Sequence, residues 1–383
     1  MAGTSYIELD RTSLIHNLQF LQSYLGEETR ISSVIKANAY GHGIEQFVPI
    51  AEEAGINHFS VFSADEARRV CNVKAESTEV MIMGWIPEED LEWVIDRYIQ
   101  FFVYEPEKVE RALSIAKQLN KPALMHLEIE TGMNRTGLSQ KQLKWIADLL
   151  KANPEHLIFK GLCTHFAGAE SIANHVRIQK QIKKYNRVYK WFINQNLIPE
   201  IRHTACSAAA ISYPRTRLDM VRIGILQYGF WPSKETFIQF IHKRMEKTNP
   251  FHRVLSWKSN VMTIKPVKEG EFVSYGTAFF AEEDKTIAVV PVGYSHGYSR
   301  SLSNQGRVLI QGQRALVIGV VNMNMLLADI THIEDVQIGD EVTLIGEQGD
   351  KEITLASFAD FNNQLNYELL ARLPYETPRF VVN

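Results

Sequence analysis

Short apolar runs rich in β-branched or aromatic residues recur along the first part of the chain, at about 31–36, 58–63, 79–84, 100–104, 123–129, 158–165, 201–207 and 220–226. Most are followed by polar–apolar stretches with helical spacing, such as Ala64-Asp65-Glu66-Ala67-Arg68-Arg69-Val70 or Glu105 to Leu119. Strands alternating with helices predict right-handed βαβ units and a parallel sheet. Eight such units in about 230 residues match a (β/α)8 TIM-type barrel. The competing doubly wound sheet loses ground because no G-x-G-x-x-G follows any of the runs.

From about residue 240 the pattern changes. Strand-like runs follow one another directly, at Ser259 to Ile264, Thr286 to Pro291, Arg307 to Ile310, Ala315 to Val321 and Glu341 to Ile345. Gly270, Gly276, Gly293, Gly312, Gly339 and Gly346 punctuate them, which predicts an all-β domain. Tyr6-Ile7-Glu8-Leu9-Asp10 reads as a strand ahead of the barrel and is expected to join that domain. The expected division is a barrel over 10–238 and a β domain made of 1–9 with 239–383.

Composition narrows the classes. A chain of 383 residues exceeds what one core usually supports, and 45% hydrophobic content is ordinary for a globular protein. A net charge of −3 gives no electrostatic reason to expect nucleic acid or an anionic membrane as partner. No apolar run approaches the ~18 residues of a membrane span, and the first residues lack the basic and apolar regions of a signal peptide. Cys71, Cys163 and Cys206 are an odd, scattered set, as expected of reduced cytoplasmic thiols. His203 and Cys206 have a suggestive spacing, but no second pair follows, so no metal is expected.

Barrel enzymes build their sites at the C-terminal ends of the strands, and reactive residue types fall at those ends here. Run one ends at Lys36 and Tyr40, within Val34-Ile35-Lys36-Ala37-Asn38-Ala39-Tyr40-Gly41-His42-Gly43. Run five leads through Glu128 into Glu130-Thr131-Gly132-Met133-Asn134-Arg135, and run six ends in Thr164-His165-Phe166-Ala167. Run seven ends near Ser207, and run eight includes Val221-Arg222-Ile223-Gly224-Ile225. A lysine after a buried run has an amine whose pKa is lowered towards the range of a base or Schiff-base nucleophile.

With Ser274-Tyr275-Gly276-Thr277, Val290-Pro291-Val292-Gly293-Tyr294 and Tyr375-Glu376-Thr377-Pro378-Arg379, these motifs run from residue 34 to residue 379. In that order the chain closely resembles the alanine racemase family, enzymes that bind pyridoxal 5′-phosphate (PLP) on a barrel. The resemblance implies that Lys36 carries PLP and serves as the base for one face of the substrate. It implies that Tyr40, Ser207, the amides of Gly224 and Ile225, and Tyr375 hold the phosphate. His165 would lie against the pyridine ring, and Arg222 would donate to its nitrogen. Tyr275 of a second subunit would be the base for the opposite face, making the protein a homodimer with shared sites. Positive charge from His165 and Arg222 would activate that tyrosine. Arg135 and the Met323 amide would bind the substrate carboxylate, and Tyr294 and Arg300 would line the substrate entrance.

Two positions depart from the family pattern. Glu128 stands where a carbamylated lysine often orients the arginine; it is expected to supply the anion directly, in a bidentate pair with Arg135. Val321-Asn322-Met323-Asn324 stands where Cys or Ser, Met and Asp are usual, which bears on substrate identity and leaves a broader-specificity racemase open. A related barrel decarboxylase fits less well, since all three cysteines precede residue 207. A non-catalytic PLP-binding protein would not need Tyr275 or the β domain.

Overall fold

The computed structural model of the chain describes residues 3–242, 244–355, 357–358 and 366–383. It contains two compact units, Ser13–Ala39 with Phe47–His252, and Met1–Thr12 with Tyr40–Gln46 and Arg253–Asn383.

Strand β1 (Ser5–Asp10) belongs to the second unit. The first holds β2 (Arg30–Val34), β3 (His58–Val61), β4 (Glu79–Ile82), β5 (Gln100–Val103), β6 (Ala123–Glu128), β7 (Leu157–Cys163), β8 (Ile201–His203) and β9 (Met220–Ile223). Parallel pairing runs β8-β7-β6-β5-β4-β3-β2-β9. Backbone bonds from Asp219 N–H to the Arg202 carbonyl (3.2 Å) and from Arg222 N–H to the Ala205 carbonyl (3.0 Å) then bring β9 against β8. The eight expected strands are all present in an eight-stranded parallel barrel. Several end earlier than the apolar runs that announced them, because residues such as Ile35, Thr164 and Thr204 leave the sheet to build loops at its C-terminal end. Strands β3, β5 and β9 are buried throughout, as a sheet covered on both faces requires.

The connecting helices carry ordinary start and stop signals. Pro106–Leu119 begins with Pro106, stops at Asn120 in the left-handed region (φ 50°, ψ 43°), and buries Val109, Ala112, Ile115 and Ala116 along one stripe. Ala64–Cys71 starts at Ser63, whose hydroxyl accepts from Glu66 N–H (3.3 Å).

The second unit adds β10 (Leu255–Asn260), β11 (Thr263–Val267), β12 (Lys285–Val290), β13 (Arg307–Ile310), β14 (Gln313–Val317), β15 (Leu326–Asp329), β16 (Glu341–Gln348), β17 (Lys351–Ile353) and β18 (Arg379–Val382). They form one sheet in the order β11-β12-β15-β14-β13-β16-β10-β1-β18, with β17 paired to β16. β1 joins it as expected, antiparallel to β10 (Ile7 opposite Trp257) and parallel to β18 (Ile7 opposite Arg379). Ile7, Leu9, Trp257, Ile310 and Leu344 are buried in its core. The run expected at Ser259 to Ile264 is divided between β10 and β11, with Val261 N–H bonded to the Asp340 carbonyl (2.8 Å) and Met262 N–H to the Val289 carbonyl (2.8 Å). No helix among the described residues is long and apolar enough to cross a membrane.

Candidate active site

β2 delivers Lys36 two residues past its end. Ser32, Ser33, Val34 and Ile35 are buried, and Ile35 N–H donates to the Ser60 carbonyl (2.9 Å). Beyond Lys36 the backbone runs left-handed through four non-glycine residues, Ala37, Asn38, Ala39 and Tyr40, at φ 52°, 55°, 53° and 51°. Each such residue costs roughly 1–2 kcal/mol, so the surroundings must impose the turn. Glu66 does much of this, accepting from the N–H groups of Asn38 (3.3 Å) and Phe62 (2.9 Å). Arg69 donates to the Asn38 side chain (2.6 Å), and Ala39 N–H returns to the Ile35 carbonyl (2.8 Å).

Lys36 is reached by solvent, yet its amine is held below the ordinary lysine range, first by desolvation and then by the Arg135 guanidinium. Water access with protein on most sides fits a side chain standing in an open recess rather than on a convex surface.

Arg222, on β9, is buried and donates through both terminal nitrogens. Nη1 bonds to His203 Nδ1 (2.5 Å) and the His203 carbonyl (2.9 Å), and Nη2 to the carbonyls of Thr164 (2.8 Å) and Thr204 (3.4 Å). Its Nε–H is the guanidinium donor with no partner among the described residues. His165 follows β7, and burial together with Arg222, Arg135 and Lys36 lowers its pKa to about 3. The imidazole is therefore neutral at ordinary pH. A neutral ring does not supply the positive charge that was expected of His165 at the tyrosine base.

Ser207 opens the short helix Ser207–Ser212, and its hydroxyl accepts from Gly224 N–H (2.9 Å), leaving its own proton to donate. Ile225 begins a 3-10 turn, Ile225–Tyr228. The first N–H groups of both elements lack acceptors within their own turns. Backbone donors and a hydroxyl thus gather after the seventh and eighth barrel strands.

Arg135 lies on the exposed loop after β6. That loop is shaped by Glu130, which accepts from Gly132 N–H and from Asn134 N–H (2.9 Å). The expected Arg135–Glu128 pair is not formed, and Arg135 has no hydrogen bond or ion pair among the described residues. Glu128 instead accepts from the Thr136 hydroxyl (2.8 Å), on the same loop. Burial raises its pKa, against the opposing pull of Thr136, Arg222 and Arg135. Gln181 ties the neighbouring loops together, donating to Thr131 Oγ1 (3.1 Å) and the His165 carbonyl (3.0 Å) and accepting from Ala167 N–H (2.9 Å).

In the second unit, Tyr40 is buried with its ring 6.0 Å from that of Tyr367, and Tyr375 is exposed. Tyr275 is 73% exposed at the tip of a loop, flanked by Ser274 at φ 68° and Gly276 at φ 70°. The Ser274 hydroxyl lies within reach of the Val320 carbonyl (2.9 Å) and Asn322 Oδ1 (3.2 Å). Tyr294 N–H donates to the Asn322 carbonyl (3.0 Å), Ser295 Oγ to the Met323 carbonyl (2.8 Å), and Asn324 Nδ2 to Ser295 Oγ (3.0 Å). The Tyr275 loop, the Tyr294 turn and the 322–324 loop therefore form one cluster. The Ser295 hydroxyl can donate to the Met323 carbonyl while accepting from Asn324. An amide satisfies both bonds at once, whereas an aspartate could only accept and would draw the hydroxyl proton away from Met323. Tyr294 and Arg300 line a cavity of about 310 Å³ with Ser299 and Arg372.

Sequence reading missed a buried set inside the barrel: His58, Gln100, His126 and the ring of His203 as a hydrogen-bonding group. His203 Nε2 is 2.8 Å from His126 Nδ1, His126 Nε2 is 2.8 Å from Gln100 Oε1, and His58 Nε2 is 3.3 Å from the same oxygen. The signal was present as alternation, since His126, Glu128 and Glu130 interleave with Met125, Leu127 and Ile129. Period two places the polar residues on one face of the strand. Both ring nitrogens of His203 are engaged in these bonds, and no group of three or more metal-ligating side chains occurs among the described residues.

Comparison with known proteins agrees with this arrangement along the whole chain. Residues 9–232 match the family model "Alanine racemase, N-terminal domain" and residues 254–381 match "Alanine racemase, C-terminal domain". The alanine racemase of Leptospira interrogans is 35% identical over 385 residues, covering 99% of this chain and 96% of the relative. The solved alanine racemase of Clostridium difficile 630 superposes with a TM-score of 0.90 at 28% identity, covering 100% of this chain and 96% of that one. That of Bartonella henselae, solved with covalently bound pyridoxal phosphate, gives a TM-score of 0.84 at 25% identity, with coverage of 99% and 100%. Matched in both halves and over nearly its whole length, the chain belongs to the alanine racemase family.

Proposed function

We propose that the protein interconverts L- and D-alanine with PLP as cofactor. The observation that carries this is the pairing of a recessed lysine of lowered pKa with a buried arginine that has one spare donor, at the C-terminal end of the barrel. The donor set fits the cofactor. Lys36 offers an amine for the aldehyde. The Ser207 hydroxyl and the Ile225 amide suit a phosphate, while Gly224 N–H, expected there too, is already given to Ser207 Oγ; by the family resemblance Tyr40 and Tyr375 would add hydroxyls. Arg222 Nε–H suits the ring nitrogen, and a guanidinium donates there without surrendering its proton. Bound PLP supplies an electron sink that acidifies the α-proton of the amino acid.

The side chains then divide the proton transfers. Lys36 takes or gives the proton on one face, helped by an amine already biased towards its neutral form. Tyr275 serves the other face, contributed by a second copy of the chain in a homodimer. Its exposure, beside exposed Phe272, Phe280 and Met323, suits a surface that a second copy covers. On this reading the β domain, expected at 239–383 with 1–9, completes the partner's site. Arg135, without a hydrogen bond or ion pair among the described residues, is available for the substrate carboxylate together with the Met323 amide. His165 offers a neutral ring beside the cofactor. Glu128 supports the Arg135 loop through Thr136, and Asn324 supports the wall around Met323. Tyr294 and Arg300 guard the entrance. The three free cysteines suit a cytoplasmic protein.

Chiral chromatography of the protein incubated with PLP and L-alanine, L-serine or L-lysine tests the proposal. D-alanine should form fastest, and both D-alanine and the cofactor's absorbance should be lost in Lys36→Ala. Absence of any D-product would overturn it.

A further inference from the structure

A hydrogen-bonded string crosses the barrel interior from Arg222 to Glu79, and each of its ends can act in only one sense. A guanidinium donates and an ionised carboxylate accepts. Arg222 Nη1 lies 2.5 Å from His203 Nδ1, so that nitrogen is an acceptor and the ring proton sits on Nε2. His203 Nε2 then donates to His126 Nδ1 (2.8 Å), and His126 Nε2 to Gln100 Oε1 (2.8 Å). From the other end, Gln100 Nε2 donates to Glu79 Oε1 (2.6 Å), which independently turns Oε1 towards the histidines. His58 Nε2 donates to Gln100 Oε1 (3.3 Å), and His58 Nδ1 accepts from Ser32 Oγ (2.9 Å), itself bonded to Ser60. Glu79 is kept ionised by Arg30 and by Lys160 at 3.8 Å.

One proton arrangement satisfies every bond. Inverting His203 or His126 would set two N–H groups, or two lone pairs, against each other in a place closed to bulk solvent. All three histidines are fully buried, and an unsatisfied buried polar group is costly. The Phe102 ring closes one side, 6.2 Å from His126, 5.8 Å from His203 and 5.9 Å from the guanidinium. Burial above all, followed by His58 and Lys160 for His126 and by Arg222 for His203, also holds both rings well below the ordinary histidine range, so neither gains a second proton near neutrality.

Resting on the cofactor reading above, we propose that Gln100, His126 and His203 are positioning residues that lock one histidine tautomer against Arg222 and so reserve its Nε–H for the cofactor ring nitrogen. The string spends Nη1 on His203, while the loop carbonyls of Thr164 and Thr204 take Nη2. A reversed His203 would point N–H at Nη1 and push the guanidinium away from those carbonyls.

Neutron diffraction of the perdeuterated wild-type holoenzyme reads the protons directly. Deuterium on Nε2, and none on Nδ1, of His203 and His126 is expected. Deuterium on Nδ1 of either ring would overturn the proposal. This result does not depend on catalysis, so a protein that failed to racemise alanine would refute the functional reading and leave the proton map standing. In solution, Gln100→Leu removes the acceptor of two histidines and should lower kcat about tenfold with KM little changed. It should also shift the pH dependence of the bound cofactor's absorbance. Gln100→Glu, which restores an acceptor for both rings and, protonated, a donor to Glu79, should recover most of both. Unaltered absorbance and kcat in Gln100→Leu, or equal losses in the two variants, would show that the residue only fills space. Should Gln100→Leu fail to fold, the neutron map decides alone.

Discussion

Glu128 shows how one carboxylate can be costly to the fold and still suit its place. Burial raises its pKa, and its one side-chain hydrogen-bond partner among the described residues is the neutral Thr136 hydroxyl. A raised carboxyl pKa means that stability is fully present below the unfolded value and is lost as pH rises through the folded one. Glu128→Gln keeps an acceptor for Thr136 and removes that loss. Its thermal midpoint should exceed the wild type's at pH 8, with the gap closing as pH falls through the Glu128 pKa. Michaelis constants should rise in the same variant, because the Arg135 loop loses the nearby anion. A lower midpoint at pH 8 would contradict the burial argument, and unchanged kinetics would remove Glu128 from the site. The residue types of this site were visible in the sequence at strand ends, Lys36, His165 and Arg222 above all. Their pairings were not: nothing local in the sequence shows that Glu128 meets Thr136 rather than Arg135, or that His165 is neutral, since both follow from tertiary burial.

At the scale of elements, the left-handed turn after β2 is the feature most at odds with local preference. Ala37 adopts φ 52° without the freedom of a glycine. Ala37→Gly should therefore change stability by less than about 1 kcal/mol, relief of strain offsetting a more flexible unfolded chain. Ala37→Val should destabilise by more than ~2 kcal/mol, since a β-branched residue fits that region poorly. Thermal unfolding of the two variants checks this, and equal effects would mean that the turn is not held as described. The barrel strands were legible because each is a buried apolar run closed by turn residues. β15, β17 and β18 were not; β17 has three residues and β18 is partly exposed, too short or too mixed to show a period. The polar string escaped notice because His58, Gln100 and His126 sit inside runs whose apolar neighbours dominate the pattern.

For the whole molecule, the buried histidines set the acid limit. Burial, foremost, lowers His58 to about 4 and His165 to about 3, and takes His126 and His203 well below their usual range. The unfolded chain takes up these protons near pH 6.5, where the folded chain does not. Stability is thus fully present above that pH and is lost as pH falls towards about 4, where His58 titrates. The unfolding midpoint should stay level from pH 8 to 7 and drop steeply between 6 and 4. A midpoint unchanged down to pH 5 would mean that these rings are protonated when folded. Proton traffic between Lys36 and Tyr275 would carry the racemisation, and turnover of protiated L-alanine in D2O reads it directly. Two bases predict that the first D-alanine formed carries solvent deuterium at the α-carbon, and that Tyr275→Phe all but abolishes its formation. D-alanine that retains the original α-proton would mean that one base serves both faces, and the account would fail.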